Sequence, residues 1–359
     1  MTCSRRKFTM RGSKDRVRAL LRGDAPDRPP LYDLLRCDAV VAHFAGEKAT
    51  EANGPEVVFR AYEPAIDATR ALVRTPNAER TETLPDGRQQ RFFRWTIWTS
   101  PRNYGSADAY ASEKRRLLSA FDPAWNPRRQ AALDERLENW RAEQERLGEI
   151  YYFLVGPCEW ITSLYHEVGL DTFVYYMSDM PDLVDELLEL ATVETVSWAE
   201  HLPAGLLSES VFLADDIAFK TGPLFNPRWL RRHFMPRLAR ITGAFHKRGM
   251  KVLFHSDGNL NRILGDLVDA GIDGLNPIEI MAGMNVGEIH RRHPHLFLAG
   301  GIDVSDLLPF GTPEAIRDTV RRTIDEAEGR IMIGSSTELH DAVPLENFLA
   351  MRDAVLEYA

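Results

Sequence analysis

Lys251-Val252-Leu253-Phe254-His255-Ser256-Asp257-Gly258-Asn259 decides how this chain is read. A short apolar run ends in a polar cluster, and a helical pattern follows from Leu260 to Ala270. Gly271 then stands where a helix C-cap belongs, and a second short run, Gly274-Leu275-Asn276, begins. Strand, helix and strand in this order make a parallel crossover unit. In such units the polar residues at strand C-termini face a pocket rather than the core. His255 and Asp257, two apart at such an end, point the same way and can share one ligand.

The pattern extends in both directions. Short β-rich runs lie at 150–155, 211–214, 252–255, 274–276, 296–299 and 331–333. Helical patterns lie between them at 183–202, 227–248, 260–270, 286–292 and 313–327. Asn226-Pro227 and Thr312-Pro313 each offer an N-cap followed by Pro at the first helical position, and Gly249 suits a C-cap. Two weaker strands, 30–32 and 70–73, bring the count to eight. Eight βα units predict an α/β chain folded as one (β/α)8 TIM barrel over 1–359. The alternative, an open doubly wound sheet, lacks a Gly-rich phosphate loop after its first strand. Residues 81–99 break the alternation. They are centred on the turn Asp86-Gly87 and predict a β-hairpin inserted in the N-terminal third. Trp95 and Trp98 in it suit either core packing or the wall of a ligand pocket. The charged helix at 131–147 reads as a solvated face.

Composition narrows the function. A net charge of -9 argues against broad nucleic-acid binding, and no apolar run approaches a membrane span. Ser4-Arg5-Arg6-Lys7-Phe8 looks like a twin-arginine signal, but charged residues rather than an apolar segment follow. Residues 1–14 are therefore read as a frayed tail, and the chain as cytoplasmic. Cys3, Cys37 and Cys158 are odd in number and widely spaced, which suits a reducing compartment.

Polar residues at the strand ends supply the candidate site. They are Asp33 and Arg36, Cys158 and Glu159, Asp215 and Asp216, His255 and Asp257, Asn276 and Glu279, Asp303, then Ser335, Ser336 and Glu338, with His340 beyond. His255, Asp257, Asp215 and Glu279 are the catalytic candidates. Arg36, Asp216, Asn276, Asp303, His340 and Trp95 are candidates for substrate binding. Each has a plainer alternative: Asp215-Asp216 suits helix capping, Asp303 a turn, and His340 a surface loop. So many carboxylates and histidines at one mouth repel unless they hold something charged.

His255-Ser256-Asp257-Gly258-Asn259, Asp269 through Pro277, and Gly300-Gly301-Ile302-Asp303 together resemble the uroporphyrinogen decarboxylase superfamily. Gly311-Thr312-Pro313-Glu314, the closing Pro344 through Met351, and the opening Arg16-Val17, Leu20-Leu21 and Asp27-Arg28-Pro29-Pro30 add to the resemblance. It implies the same (β/α)8 barrel and two kinds of chemistry.

One branch decarboxylates a porphyrinogen without a cofactor, through an Arg-Gln-Ala-Gly-Arg-type motif after the first strand. Here that region reads Asp33-Leu34-Leu35-Arg36-Cys37-Asp38, with a single arginine. The other branch comprises corrinoid-linked methyltransferases whose zinc is held by His-x-Cys and a distant Cys. His255 matches the His, Asp257 stands at the first Cys, and the distal region reads Gly334-Ser335-Ser336-Thr337. Losing both thiolates favours a harder metal set. The resemblance thus implies zinc or another divalent ion held by His255, Asp257 and a carboxylate such as Glu159 or Glu279. A metal-free acid/base pair of His255 and Asp257 is the alternative.

The leading functional expectation is corrinoid- or folate-linked methyl transfer from a small methylated compound, with the corrinoid on a partner protein. The second is decarboxylation of a porphyrinogen or smaller acid, and the third a non-catalytic tetrapyrrole-binding barrel. The surface allows a homodimer.

Overall fold

The computed structural model describes residues 12–70, 73–205 and 208–358. Cys3 and most of the expected tail lie outside the described residues. The chain is an α/β protein whose main sheet has seven strands, and the registers within it are parallel. It divides into two compact units. One gathers residues up to 73, 141–154 and 273–359; the other holds 74–140 and 155–272.

In the first unit, strands Gly274–Asn276, Phe297–Ile302 and Ile331–Ser335 lie side by side. All three are buried along their whole length. Strands covered on both faces read as apolar runs rather than alternation, as Phe297–Ile302 and residues 331–334 do, with polar Asn276 and Ser335 only at strand C-termini. The strand expected at 30–32 is present as two parallel bridges, Leu31 to Ile333 and Tyr32 to Ala68. Pro30 has no N–H to give a ladder, yet its carbonyl accepts from Ile333 N at 2.8 Å. The next strand is Ala68–Arg70, in register with Tyr151–Phe153. It ends before the expected 73, with residues 71 and 72 outside the described ones. This unit therefore carries six successive strand positions. The second carries two more, Ser210–Ala214 and Lys251–His255, paired in parallel from Lys251↔Ser210 to His255↔Ala214. Eight positions are the strand complement of a TIM-like barrel.

The opening segment is fixed by charge. Asp67, nearly buried, accepts from Arg28 at 2.6 and 2.9 Å, Ser13 Oγ at 2.7 Å and Leu31 N at 2.9 Å. Burial alone would raise its pKa, but the Arg28 pair together with the Leu31 and Ser13 hydrogen bonds outweighs this and holds the carboxyl below its ordinary range.

In the second unit, Arg80–Thr83 and Gln89–Phe92 form the antiparallel hairpin around Asp86-Gly87, and Ile97–Thr99 adds a third strand. The expected helix at 227–248 is interrupted by a π turn over Leu230–Phe234. Pro236 explains it: without an N–H it cannot bond the carbonyl four residues back, so the ladder widens there. The helix expected from Leu260 begins at Leu264 instead. Asn259 Oδ1 accepts from Asn261 N at 3.0 Å, and this local bond holds a turn in place of the first helical turn.

Candidate metal centre

The second unit holds the site. Parallel pairing sets His255 level with Ala214, so the residues just beyond each strand end meet. The ladder continues past the strands: Asp215 N donates to His255 O at 3.0 Å. Ser256 Oγ then accepts from Ile217 N and donates to Asp257 O, both at 3.1 Å. Asp257 N donates to Asp216 Oδ1 at 3.0 Å. These bonds lock the two loops together and place Asp216, His255 and Asp257 around one point.

Their donor atoms all lie within 4.8 Å of one another. His255 Nε2 is 3.8 Å from Asp216 Oδ1 and 3.9 Å from Asp257 Oδ1. Both distances exceed hydrogen-bond length. They are slightly wider than the roughly 3.4 Å between two ligands on a tetrahedral ion with bonds of about 2.1 Å. His255 is buried, with the Phe212 ring centroid 5.4 Å from its own, while the two carboxylates are half-exposed. One imidazole and two carboxylates with a solvent-facing side suit a divalent ion that keeps open positions. This is the one such group of three or more ligating side chains among the described residues.

Asp216 was expected to bind substrate, and Glu159 to complete the metal set. The structure puts Asp216 in the group. Glu159 stays outside it: exposed, with φ 64°, it makes the left-handed turn that starts helix Trp160–Val168. Asp215, expected as a catalytic acid/base, has no exposed surface. Its carboxylate accepts from Ile161 N at 3.1 Å, Thr162 N at 2.8 Å and Thr162 Oγ1 at 2.5 Å. It caps that helix from another loop, the plainer of the two readings open to it. Burial pushes its pKa up to about 7, although these three bonds and the helix N-terminus pull the other way.

Gly258 closes the turn after Asp257. Its φ is +90°, and a Cβ there would come within 2.7 Å of backbone atoms of Ala218 and Phe219. Only glycine lets the loop lie against the small hairpin Ala218–Phe219 and Gly222–Pro223, where Asn259 N donates to Phe219 O at 2.9 Å. Trp95, in the turn before the third strand of the small antiparallel sheet, is buried, with the Arg94 guanidinium 5.8 Å from its ring. Cys158 is part-buried, and burial pushes its thiol up to about 11.

The remaining candidates belong to the first unit. Arg36 is ion-paired with Glu338. Asn276 Nδ2 donates to Ala299 O at 3.1 Å. Asp303, a candidate for substrate binding, accepts from the backbone N–H of Ser305, Asp306 and Leu307 at 3.1, 2.8 and 2.8 Å and so makes the turn that was its plainer alternative. His340 Nδ1 accepts from Ala342 N, so Nε2 carries the proton and donates to Val304 O at 3.0 Å. Glu279 is half-buried and heads the short 3-10 turn Ile280–Ala282.

A methylated-thiol–coenzyme M methyltransferase of Methanosarcina mazei is 22% identical over 214 residues, 60% of this chain and 54% of that protein. The chain thus spans about half the length of the curated relative it matches. A solved structure, a methyltransferase from Methanosarcina mazei, matches with a TM-score of 0.62 at 20% identity. It covers 97% of this chain and 99% of the other, which establishes a shared fold. The profile of the family described as uroporphyrinogen decarboxylase (URO-D) matches residues 137–358, well over half of the chain and a span that includes Asp216, His255 and Asp257. The chain belongs to the uroporphyrinogen decarboxylase family.

Proposed function

We propose that this protein is a methyl-transfer enzyme that demethylates a small methylated compound, with a corrinoid or folate as the methyl carrier. The observation that carries this reading is the group Asp216, His255 and Asp257, in a chain similar to a methylated-thiol methyltransferase. The three side chains would hold zinc or another divalent ion. Bound there, the ion supplies Lewis-acid polarisation of the heteroatom that carries the methyl group. Two carboxylates in place of thiolates suit an oxygen-bearing group, so methoxylated compounds are the favoured substrates. Asp216 and Asp257 offset the ion's charge, and the buried His255 sets its depth. The half-exposed carboxylates leave the substrate side open. The corrinoid would be carried by a partner protein.

Decarboxylation is less well supported. It needs cations for substrate carboxylates, and Arg36, the arginine after the first strand position, is already paired with Glu338.

The test is methyl transfer to free cob(I)alamin from a panel of methoxylated and methylthiolated compounds, followed by the visible spectrum of methylcobalamin. Transfer by the wild type that falls at least about 100-fold in His255→Ala supports the reading. No transfer, together with loss of carboxyl groups from a porphyrinogen, would move the protein to the decarboxylase branch.

A further inference from the structure

The three ligating side chains do not explain why Asp216 faces His255 while its neighbour Asp215 points into a helix. Helix Trp160–Val168 does. The Thr162 hydroxyl donates to Asp215 Oδ1 and accepts from Asp216 N at 2.8 Å. One turn on, and on the same helix face, Tyr165 OH donates to Asp216 O at 3.0 Å. Both side chains are buried, Thr162 to 1% exposure. The Asp216 residue is therefore gripped at its N–H by one helix residue and at its C=O by another. Asp215 fixes the N-terminus of the same helix through Ile161 N and Thr162 N.

We infer that Thr162 and Tyr165 are positioning residues that hold Asp216 as a ligand in the divalent-cation site. The inference rests on the metal-centre reading above and extends it to residues that touch no ion. The grip is specific in chemistry. A threonine hydroxyl acts as donor and acceptor at once, whereas valine, of the same shape, does neither. Thr162→Val leaves the Asp216 N–H without its partner and frees the dihedral angles that aim its carboxylate. Supporting groups of this kind around a metal site change affinity by about 10- to 100-fold.

The experiment is Zn2+ affinity of the full chain, measured by competition with a chromophoric chelator at a temperature well below the melting point of every variant. Co2+ absorption reports the ligand geometry in parallel. Thr162→Val should weaken Zn2+ binding about 10- to 100-fold and alter the Co2+ spectrum. Thr162→Ser, which restores the hydroxyl, should return both to within about 3-fold of wild type. Tyr165→Phe should weaken binding in the same direction by a smaller factor, and it carries the test if Thr162→Val does not fold.

A merely structural role would lower the melting point and leave the affinity of the folded protein unchanged; that result overturns the inference. So does Thr162→Ser binding as weakly as Thr162→Val, which would assign the effect to packing. Absence of Zn2+ binding in the wild type would instead overturn the metal-centre reading itself, and this inference with it. Tight wild-type binding with indifferent variants leaves that reading standing and removes only the grip.

Discussion

Asp33 and Asp215 show what a buried carboxylate does at a strand end. Each is almost or wholly inaccessible, and each is satisfied by hydrogen bonds rather than by a cation. Asp33 accepts from Leu34 N, Leu339 N, and both Ser335 N and Ser335 Oγ. Burial nonetheless prevails and pushes its pKa up to about 6. The folded protein therefore binds this proton more tightly than the unfolded chain does. The stability it contributes is complete below about pH 4 and is lost as pH rises through about 6. Asp33→Asn removes the titration. The wild type's stability relative to this variant should decline between about pH 4 and 6, with a slope approaching 1.4 kcal/mol per pH unit, roughly one proton. Denaturant unfolding across that range checks it, and parallel curves for the two proteins would contradict it. The sequence placed Asp33 and Asp215 at strand ends correctly. Helix capping was one of the readings open for Asp215, but neither the helix it caps nor the amides that Asp33 faces could be read, because both depend on which loop lies beside them.

At the scale of elements, helix Trp160–Val168 starts without a local side-chain cap and borrows Asp215 from a loop more than 50 residues away. With Asp216 in the proposed cation site, the adjacent aspartates would have separate tasks, and separate variants should divide them. Asp215→Ala should cost about 2 kcal/mol through the lost cap and the orphaned amides. Asp216→Ala, half-exposed, should cost under about 1 kcal/mol yet remove metal binding. Denaturant unfolding combined with Zn2+ titration separates the two; equal destabilisation by both would contradict the division.

Element boundaries were legible where the cap chemistry is local. Asn226 and Thr312 accept from Arg228 N and Ala315 N as their sequence predicts. Legibility failed where a local signal hid a second one. Pro236 turned an expected continuous helix into a π turn, and Asn259 delayed the next helix to Leu264. Glu159 stood at a strand end like a ligand, but its left-handed backbone makes it a hinge into the helix.

At the scale of the whole molecule, the eight strand positions follow from the alternation of apolar runs and helical patterns, which needs no long-range information. The site required more. His255 and Asp257 were legible because they share one strand end, whereas Asp216 joins them through the parallel register of two strands about 40 residues apart. Thr162 and Tyr165 carried no signal, since a hydroxyl on a helix is ordinary until its partners are known. The acidic balance of the chain, -9, fits a cation-binding centre better than a nucleic-acid surface. Among the described residues, no helix is long and apolar enough to cross a membrane.

Metal content tests whether Asp216, His255 and Asp257 form one cation site, as proposed. Elemental mass spectrometry of the purified protein, after dialysis against Zn2+ and removal of loose ion, should find close to one divalent ion per chain. His255→Ala and Asp216→Ala should each fall to less than about one tenth of that, with folding intact by circular dichroism. A metal-free wild type would contradict the cation site and leave His255 with its two carboxylates as an acid/base group. Metal retained in both variants would place the ion elsewhere.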